Sequence, residues 1–120
     1  MHPRSQRTGV VAYITRDGSE IRELMHPAVH GNQNQSLAEA TVLPGQTTAL
    51  HRHLHSEELY HVTSGQGLMR LGDEEFTIVP GDTVCIPPGT AHAVSNTGGE
   101  LLHILCCCAP PYSHDDTELL

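Results

Sequence analysis

The chain has no lysine. All six of its basic residues are arginines, set against 14 carboxylates, and the net charge is -8. Schiff-base chemistry and a phosphate-binding P-loop both need a lysine and are therefore excluded. Nucleic acid is excluded as a partner by the acidic balance, because its phosphates require a basic surface. Long apolar runs are also missing: nothing approaches the roughly 20 residues of a membrane-spanning helix. The opening Met1-His-Pro-Arg-Ser-Gln-Arg leads into no apolar signal segment. The expectation is a soluble, cytoplasmic protein with no membrane contact. Cysteine is limited to Cys85 and the run Cys106-Cys107-Cys108. Neighbours in a strand point to opposite faces, so this run cannot close on itself without distortion. The four cysteines read as small apolar residues filling a β core, in keeping with a reducing compartment.

What is present is punctuation. Turn pairs such as Asp17-Gly18, Pro44-Gly45, Gly72-Asp73, Pro80-Gly81 and Gly98-Gly99 recur at short intervals. Between them lie short runs: Val10–Thr15, Leu37–Leu43, Thr47–His53, Leu59–Thr63, Leu68–Leu71, Phe76–Val79, Thr83–Ile86, Ala91–Val94 and Leu101–Cys107. Glu20–Met25 reads as a further strand. Many short strands separated by turns predict an all-β sandwich or barrel, and no segment holds a helical period for more than two turns. The clearest hairpin turns at Gly72-Asp73. At 120 residues the chain supports one core and one domain, 1–120, with residues 1–8 and 110–120 as terminal arms.

Chemistry concentrates around His51 and His53. Side chains alternate along a strand, so these two imidazoles share a face. Glu58 follows a short turn, from which the next strand can return its carboxylate beside the pair. Glu57 competes for that role. His92 is distant in sequence and needs a closed β fold to arrive. Three imidazoles and one carboxylate form a donor set that a divalent first-row metal accepts. Strand parity puts Tyr60 on the face of Glu58, where a phenol could orient a ligand or donate a proton. It also puts Ala38 and Ala40 on one face of their strand, leaving room for a substrate if that face is the inner one.

These residues carry a resemblance to the cupin superfamily of small β-barrels. Gly45, His51, His53, Glu58 and Gly65 reproduce Gly-x5-His-x-His-x4-Glu-x6-Gly, its first motif. Gly81, Pro87, Gly89, His92 and Asn96 reproduce Gly-x5-Pro-x-Gly-x2-His-x3-Asn, its second. The motif core spans 45–96 and contains one cupin unit. The six residues between Glu58 and Gly65 match the family spacing, which favours Glu58 over Glu57. The resemblance implies a jelly-roll, or double-stranded β-helix, barrel in which His51, His53, Glu58 and His92 bind one divalent transition metal (Mn, Fe, Ni, Cu or Zn, with Mn or Fe favoured). One or two coordination positions would remain for substrate. Gly45 and Gly81 sit at corners that often need positive φ, while Gly89 permits the turn that aims His92 inward.

The function expected from this resemblance is a metal-dependent enzyme acting on a small oxygenated organic molecule, with dioxygenase-type oxidoreduction slightly favoured. Isomerase, lyase or cyclase chemistry at a Lewis-acid metal is the alternative, and a small-ligand binding protein is the non-catalytic one. Glu58 argues against the thiol dioxygenases, which have three histidines and no glutamate. Tyr60 and His103 are the catalytic candidates outside the ligand set. His103 interrupts the apolar run Leu101–Cys107 and either faces solvent or lines the cavity. Arg22, Arg70 and Glu39 are expected on the solvent face, and His2, His26, His30, His55, His61 and His114 at surfaces or turns. A homodimer is expected, with Val10–Tyr13 adding a strand to a neighbour.

Overall fold

A computed structural model describes residues 3–120; Met1 and His2, including the surface position expected for His2, lie outside the described residues. The strands are β1 (Tyr13–Ile14), β2 (Glu20–Met25), β3 (Ser36–Val42), β4 (His51–His53), β5 (Glu57–Ser64), β6 (Gly67–Leu71), β7 (Glu74–Ile78), β8 (Thr83–Ile86), β9 (His92–Asn96), β10 (Leu102–Ala109) and β11 (Thr117–Leu119). They form two antiparallel sheets, ordered β1-β2-β3-β10-β5-β8 and β11-β4-β9-β6-β7. This is the β-barrel, jelly-roll architecture. Among the described residues the one α-helical turn, Pro27–His30, is capped by the His26 ring and ends at Gly31. No helix among the described residues is long and apolar enough to cross a membrane.

Alternation decides what faces inward. Along β10 burial follows a strict two-residue period, with Leu102, Ile104, Cys106 and Cys108 inside and His103, Leu105 and Cys107 outside. β5 does the same with Glu58, Tyr60 and Val62. Val62, Met69, Ile78, Ile86, Leu102 and Ile104 close one end of the barrel as a dry core. Polar inward side chains collect at the other end.

Two motif residues explain themselves structurally. Gly65 adopts φ 80°, and a Cβ there would strike the Leu101 carbonyl oxygen and come within 2.8 Å of Leu102 Cα, so only glycine lets these backbones pass. Asn96 is buried, as parity implies, but it serves the loop. Its Nδ2 donates to the carbonyls of Val42 at 2.8 Å and Glu100 at 2.7 Å, and its Oδ1 accepts from Gly98 N–H.

Three expectations need correction. The run Val10–Thr15 is strand only at Tyr13–Ile14, where it pairs with β2 and forms the edge of the larger sheet. Thr47–His53 forms a continuous ladder only from His51; Ala49 N–H leaves the sheet to donate to the Asp17 carbonyl at 2.7 Å. The segment from Pro110 is no free arm: it makes a 3-10 turn at His114–Asp116 and then pairs as β11 with β4, Thr117 opposite His53. It covers an edge that β4 would otherwise leave open.

Candidate metal centre

β4 is three residues long, so it presents two side chains inward, His51 and His53, while Arg52 points out to Glu118 at 2.8 Å. His92 opens β9 directly opposite His51 in the ladder. The ring centroids lie 4.2 Å apart for His51 and His92, 5.1 Å for His51 and His53, and 5.3 Å for His53 and His92. All three are buried, and one ring nitrogen from each falls within 4.8 Å of the others, a cluster that could hold a metal ion. Glu58 reaches the same point from the opposite sheet. Its Oε1 stands 3.2 Å from His53 Nε2 and 3.4 Å from His92 Nε2. Donors about 2.1 Å from a shared ion are separated by about 3–3.5 Å, which those distances match.

Hydrogen bonds behind the rings choose which nitrogen faces inward. His51 Nδ1 sits 2.9 Å from the Ala49 carbonyl and His92 Nδ1 2.9 Å from the Thr90 carbonyl. A carbonyl only accepts, so both rings carry their proton on Nδ1 and leave Nε2 with a free lone pair. His53 Nδ1 lies 3.0 Å from Thr117 Oγ1, whose own proton is committed to the Ser113 carbonyl at 2.9 Å. The hydroxyl can then only accept, and His53 takes the same tautomer. Outer partners of this kind orient metal-binding histidines. His92 Nε2 and Glu58 Oε1 are buried with no hydrogen-bond partner. Short as the Glu58–His distances are, they set acceptor against acceptor, because in these tautomers neither Nε2 carries a proton. Such orphaned atoms are costly unless something else occupies the space between them, so the residues fit a bound cation.

The other carboxylate oxygen is held. Cys108, directly opposite Glu58 in the β10–β5 ladder, donates its thiol to Glu58 Oε2 at 3.2 Å. Burial and then the Glu58 charge push the Cys108 thiol up, so it stays protonated and remains a donor. Burial alone would raise the Glu58 carboxyl, but in the metal-free site the imidazoles of His53 and His92, once protonated, donate to it, outweigh burial and hold it at about 2. His51 is pulled below its ordinary value, first by burial and then by His92, and so stays neutral. Tyr60 is pushed well up by burial and by Glu58.

His51, His53 and Glu58 line a cavity whose empty space, open solvent at its mouth included, is about 510 Å³. Tyr60 lines it, its ring edge-on to His92 at 5.9 Å, and Ala38 and Ala40 line it as parity predicts. His103 does not. It lies on the outer face of β10, 3.1 Å from Thr41 Oγ1 and 3.8 Å from Glu39 Oε1, because it falls on the opposite parity to Cys106 and Cys108. Glu57 is exposed where Glu58 is buried. Glu39 is buried but outward-facing, paired with Arg7 at 2.7 Å. His55 and His61 are tied outside the site, to Asp116 and Thr83, each at 2.7 Å.

Sequence reasoning missed Thr117, Cys108, Asp17, Glu23 and Tyr112 at the site. Asp17 Oδ2 comes within 3.8 Å of His51 Nε2, and Tyr112 packs edge-on to His53 at 5.7 Å. Thr117 and Tyr112 belong to the segment read as an arm. Asp17 was read only as half of a turn. No local signal marks any of them, since each depends on which strands become neighbours.

Known proteins resemble this chain in sequence and fold. MJ1618 of Methanocaldococcus jannaschii is 55% identical over 108 residues, covering 90% of this chain and 86% of its own. The oxalate-binding protein of Thermotoga maritima is 27% identical over 86 residues, covering 72% of this chain and 71% of its own. Among solved structures, the polyketide cyclase RemF of Streptomyces resistomycificus superposes with a TM-score of 0.79 at 27% identity, covering 97% of this chain and 89% of that one. Residues 38–108, from the first cavity-lining alanine to the thiol that holds Glu58, match the cupin domain family, and the chain belongs to it.

Proposed function

We propose that the chain is a metal-dependent enzyme acting on a small oxygenated organic molecule, with one divalent transition metal held by His51, His53, Glu58 and His92. The observation that carries this reading is the pair of orphaned buried atoms, His92 Nε2 and Glu58 Oε1, aimed at one point beside two further imidazoles. Mn, Fe, Ni, Cu and Zn all suit this donor set, with Mn or Fe favoured. A metal bound there supplies either electron transfer with dioxygen or Lewis-acid polarisation of a substrate oxygen.

The chain's own residues do the rest. Tyr60, kept protonated by burial and by Glu58, offers a hydrogen-bond donor beside His92. Ala38 and Ala40 leave space for the substrate, and Tyr112 walls the mouth. Dioxygenase-type oxidoreduction is the first reading. The likeness to RemF, a polyketide cyclase, supports a second, in which the metal is a Lewis acid and Tyr60 moves the proton. A non-catalytic binding role is the third, in line with the name of the Thermotoga maritima relative.

Elemental analysis of untagged protein is expected to find about one divalent metal per chain, lost in His51→Ala and His92→Ala. A wild type that is metal-free and cannot be loaded refutes the proposal. Dioxygen uptake after anaerobic loading supports the first reading. Activity with Zn(II) under argon supports the second, and saturable binding without turnover under every metal supports the third.

Two further proposals concern its setting. Four free cysteines are in keeping with a cytoplasmic location. A homodimer would form on the outer face of the larger sheet, where Leu37, Cys107, Leu59 and Cys85 make one cross-strand apolar row. Sedimentation at micromolar concentration showing only monomer would reject it.

A further inference from the structure

No permanently cationic side chain lines the cavity. Neither arginine nor lysine lines it, whereas Asp17 and Glu23 do, in addition to Glu58. Each of these two carboxylates is anchored through one oxygen and leaves the other free. Asp17 Oδ1 accepts from Ser19 N–H at 2.9 Å and from Ser19 Oγ at 2.7 Å, while Oδ2, on the side of His51, takes no hydrogen bond among the described residues. Glu23 Oε2 accepts from Tyr13 Oη at 3.1 Å, while Oε1 is buried with no partner. A carboxylate oxygen only accepts, so both free atoms call for O–H or N–H donors on whatever fills the space. Facing them are apolar surfaces from Ile21, Ala38 and Ala40.

Charge points the same way. With a divalent cation in place, Glu58, Asp17 and Glu23 would leave the site near a net charge of -1. A carboxylate or phosphate drawn to that cation would still meet the carboxylates of Asp17 and Glu23, with no arginine or lysine to offset them, in a cavity where screening by water is weak. An uncharged ligand meets no such penalty, and its hydroxyls satisfy the two waiting acceptors.

We infer that the cavity takes an uncharged compound carrying at least two hydroxyl groups, and that Asp17 and Glu23 select it against carboxylates and phosphates. This rests on the reading of the same cavity as a metal-dependent substrate site. It also separates this chain from a binder of oxalate, the dianion in the name of its Thermotoga maritima relative.

The chain offers a direct readout. It has no tryptophan, and its three tyrosines, Tyr13, Tyr60 and Tyr112, all line the cavity, so tyrosine emission reports occupancy of this site. Two transparent probes suffice: oxalate, a dianion, and cis-1,2-cyclohexanediol, an uncharged ring with two hydroxyls. Both are titrated into Co(II)-loaded protein under argon, followed by tyrosine emission and by the cobalt absorption bands.

The double variant Asp17→Asn/Glu23→Gln keeps the anchoring acceptors and removes the charge. It should bind oxalate at least tenfold more tightly than wild type and the diol at least threefold more weakly. Each single substitution should shift oxalate in the same direction by at least threefold, so one variant that folds is enough. Oxalate affinity unchanged or weakened by the substitutions, or a diol whose affinity does not respond, overturns the inference. Cobalt content is measured first. Protein that takes up no cobalt sinks the metal reading, and the charge preference is then decided by the emission titrations alone.

Discussion

Replacing Thr117 by valine removes one oxygen while keeping the branched outline of the side chain, which isolates the role of the C-terminal strand. In the native protein that oxygen accepts from His53 Nδ1 at 3.0 Å and donates to the Ser113 carbonyl at 2.9 Å. Thr117 and His53 are both buried, so water cannot replace the lost acceptor. A buried donor left without a partner costs about 1–3 kcal/mol. More specifically, the His53 proton is no longer confined to Nδ1. Once it can shift to Nε2, the inward lone pair is lost for part of the population and the ring loses its orientation.

Substitution of such outer partners typically costs about 10- to 100-fold in metal affinity, or about 1.4–2.7 kcal/mol. Competition titration of Co(II)- or Zn(II)-loaded protein against a chelator should show a loss in that range for Thr117→Val. Thr117→Ser keeps the hydroxyl and should stay within about threefold of wild type by the same reasoning. Valine binding metal within twofold of wild type would show that the tail does not hold the site, and the tautomer argument would fail with it.

Cys108→Ala removes the thiol that donates to Glu58 Oε2 and should weaken metal binding several-fold, whereas Cys108→Ser, which keeps a donor, should recover most of it; the same titration decides. Gly65→Ala adds a methyl group where backbone already stands, at φ 80°, and should cost at least about 2 kcal/mol in denaturant unfolding. A variant as stable as wild type would refute the close approach of the loops. The metal-free protein should lose stability as pH falls below about 6.5, the unfolded value of histidine. Burial and His92 hold His51 below that value, so protons bind the unfolded chain more readily. Glu58, held at about 2, contributes above about pH 4.3, and its contribution is lost as pH falls towards 2. A thermal midpoint that rises between pH 8 and 5 would contradict this.

Much of the site was legible from spacing because β-structure converts parity into direction. His51 and His53 face inward together, and Glu58, Tyr60, Ala38 and Ala40 fall on the inner face of their strands. Parity fixes only relative orientation within one strand. For His103 the run Leu101–Cys107 left both faces open, and the structure turns it outward because its neighbours Leu102 and Ile104 belong to the core. The N-terminal run failed for another reason. Its apolar residues resemble a strand locally, yet Val11 and Ile14 are 87% and 67% exposed, and only two residues find ladder partners.

The sequence by itself determined the all-β class, which side chains share a strand face and the donor types at His51, His53, Glu58 and His92, because alternation and turn chemistry act over a few residues. Tertiary structure alone decided which strands lie side by side. That adjacency placed Thr117 behind His53, Cys108 across from Glu58, and the Asp17 carboxylate beside His51. Such contacts join residues 34 to 64 positions apart. No local pattern encodes them. They follow from the sheet order, which is set only when the whole barrel closes around its core.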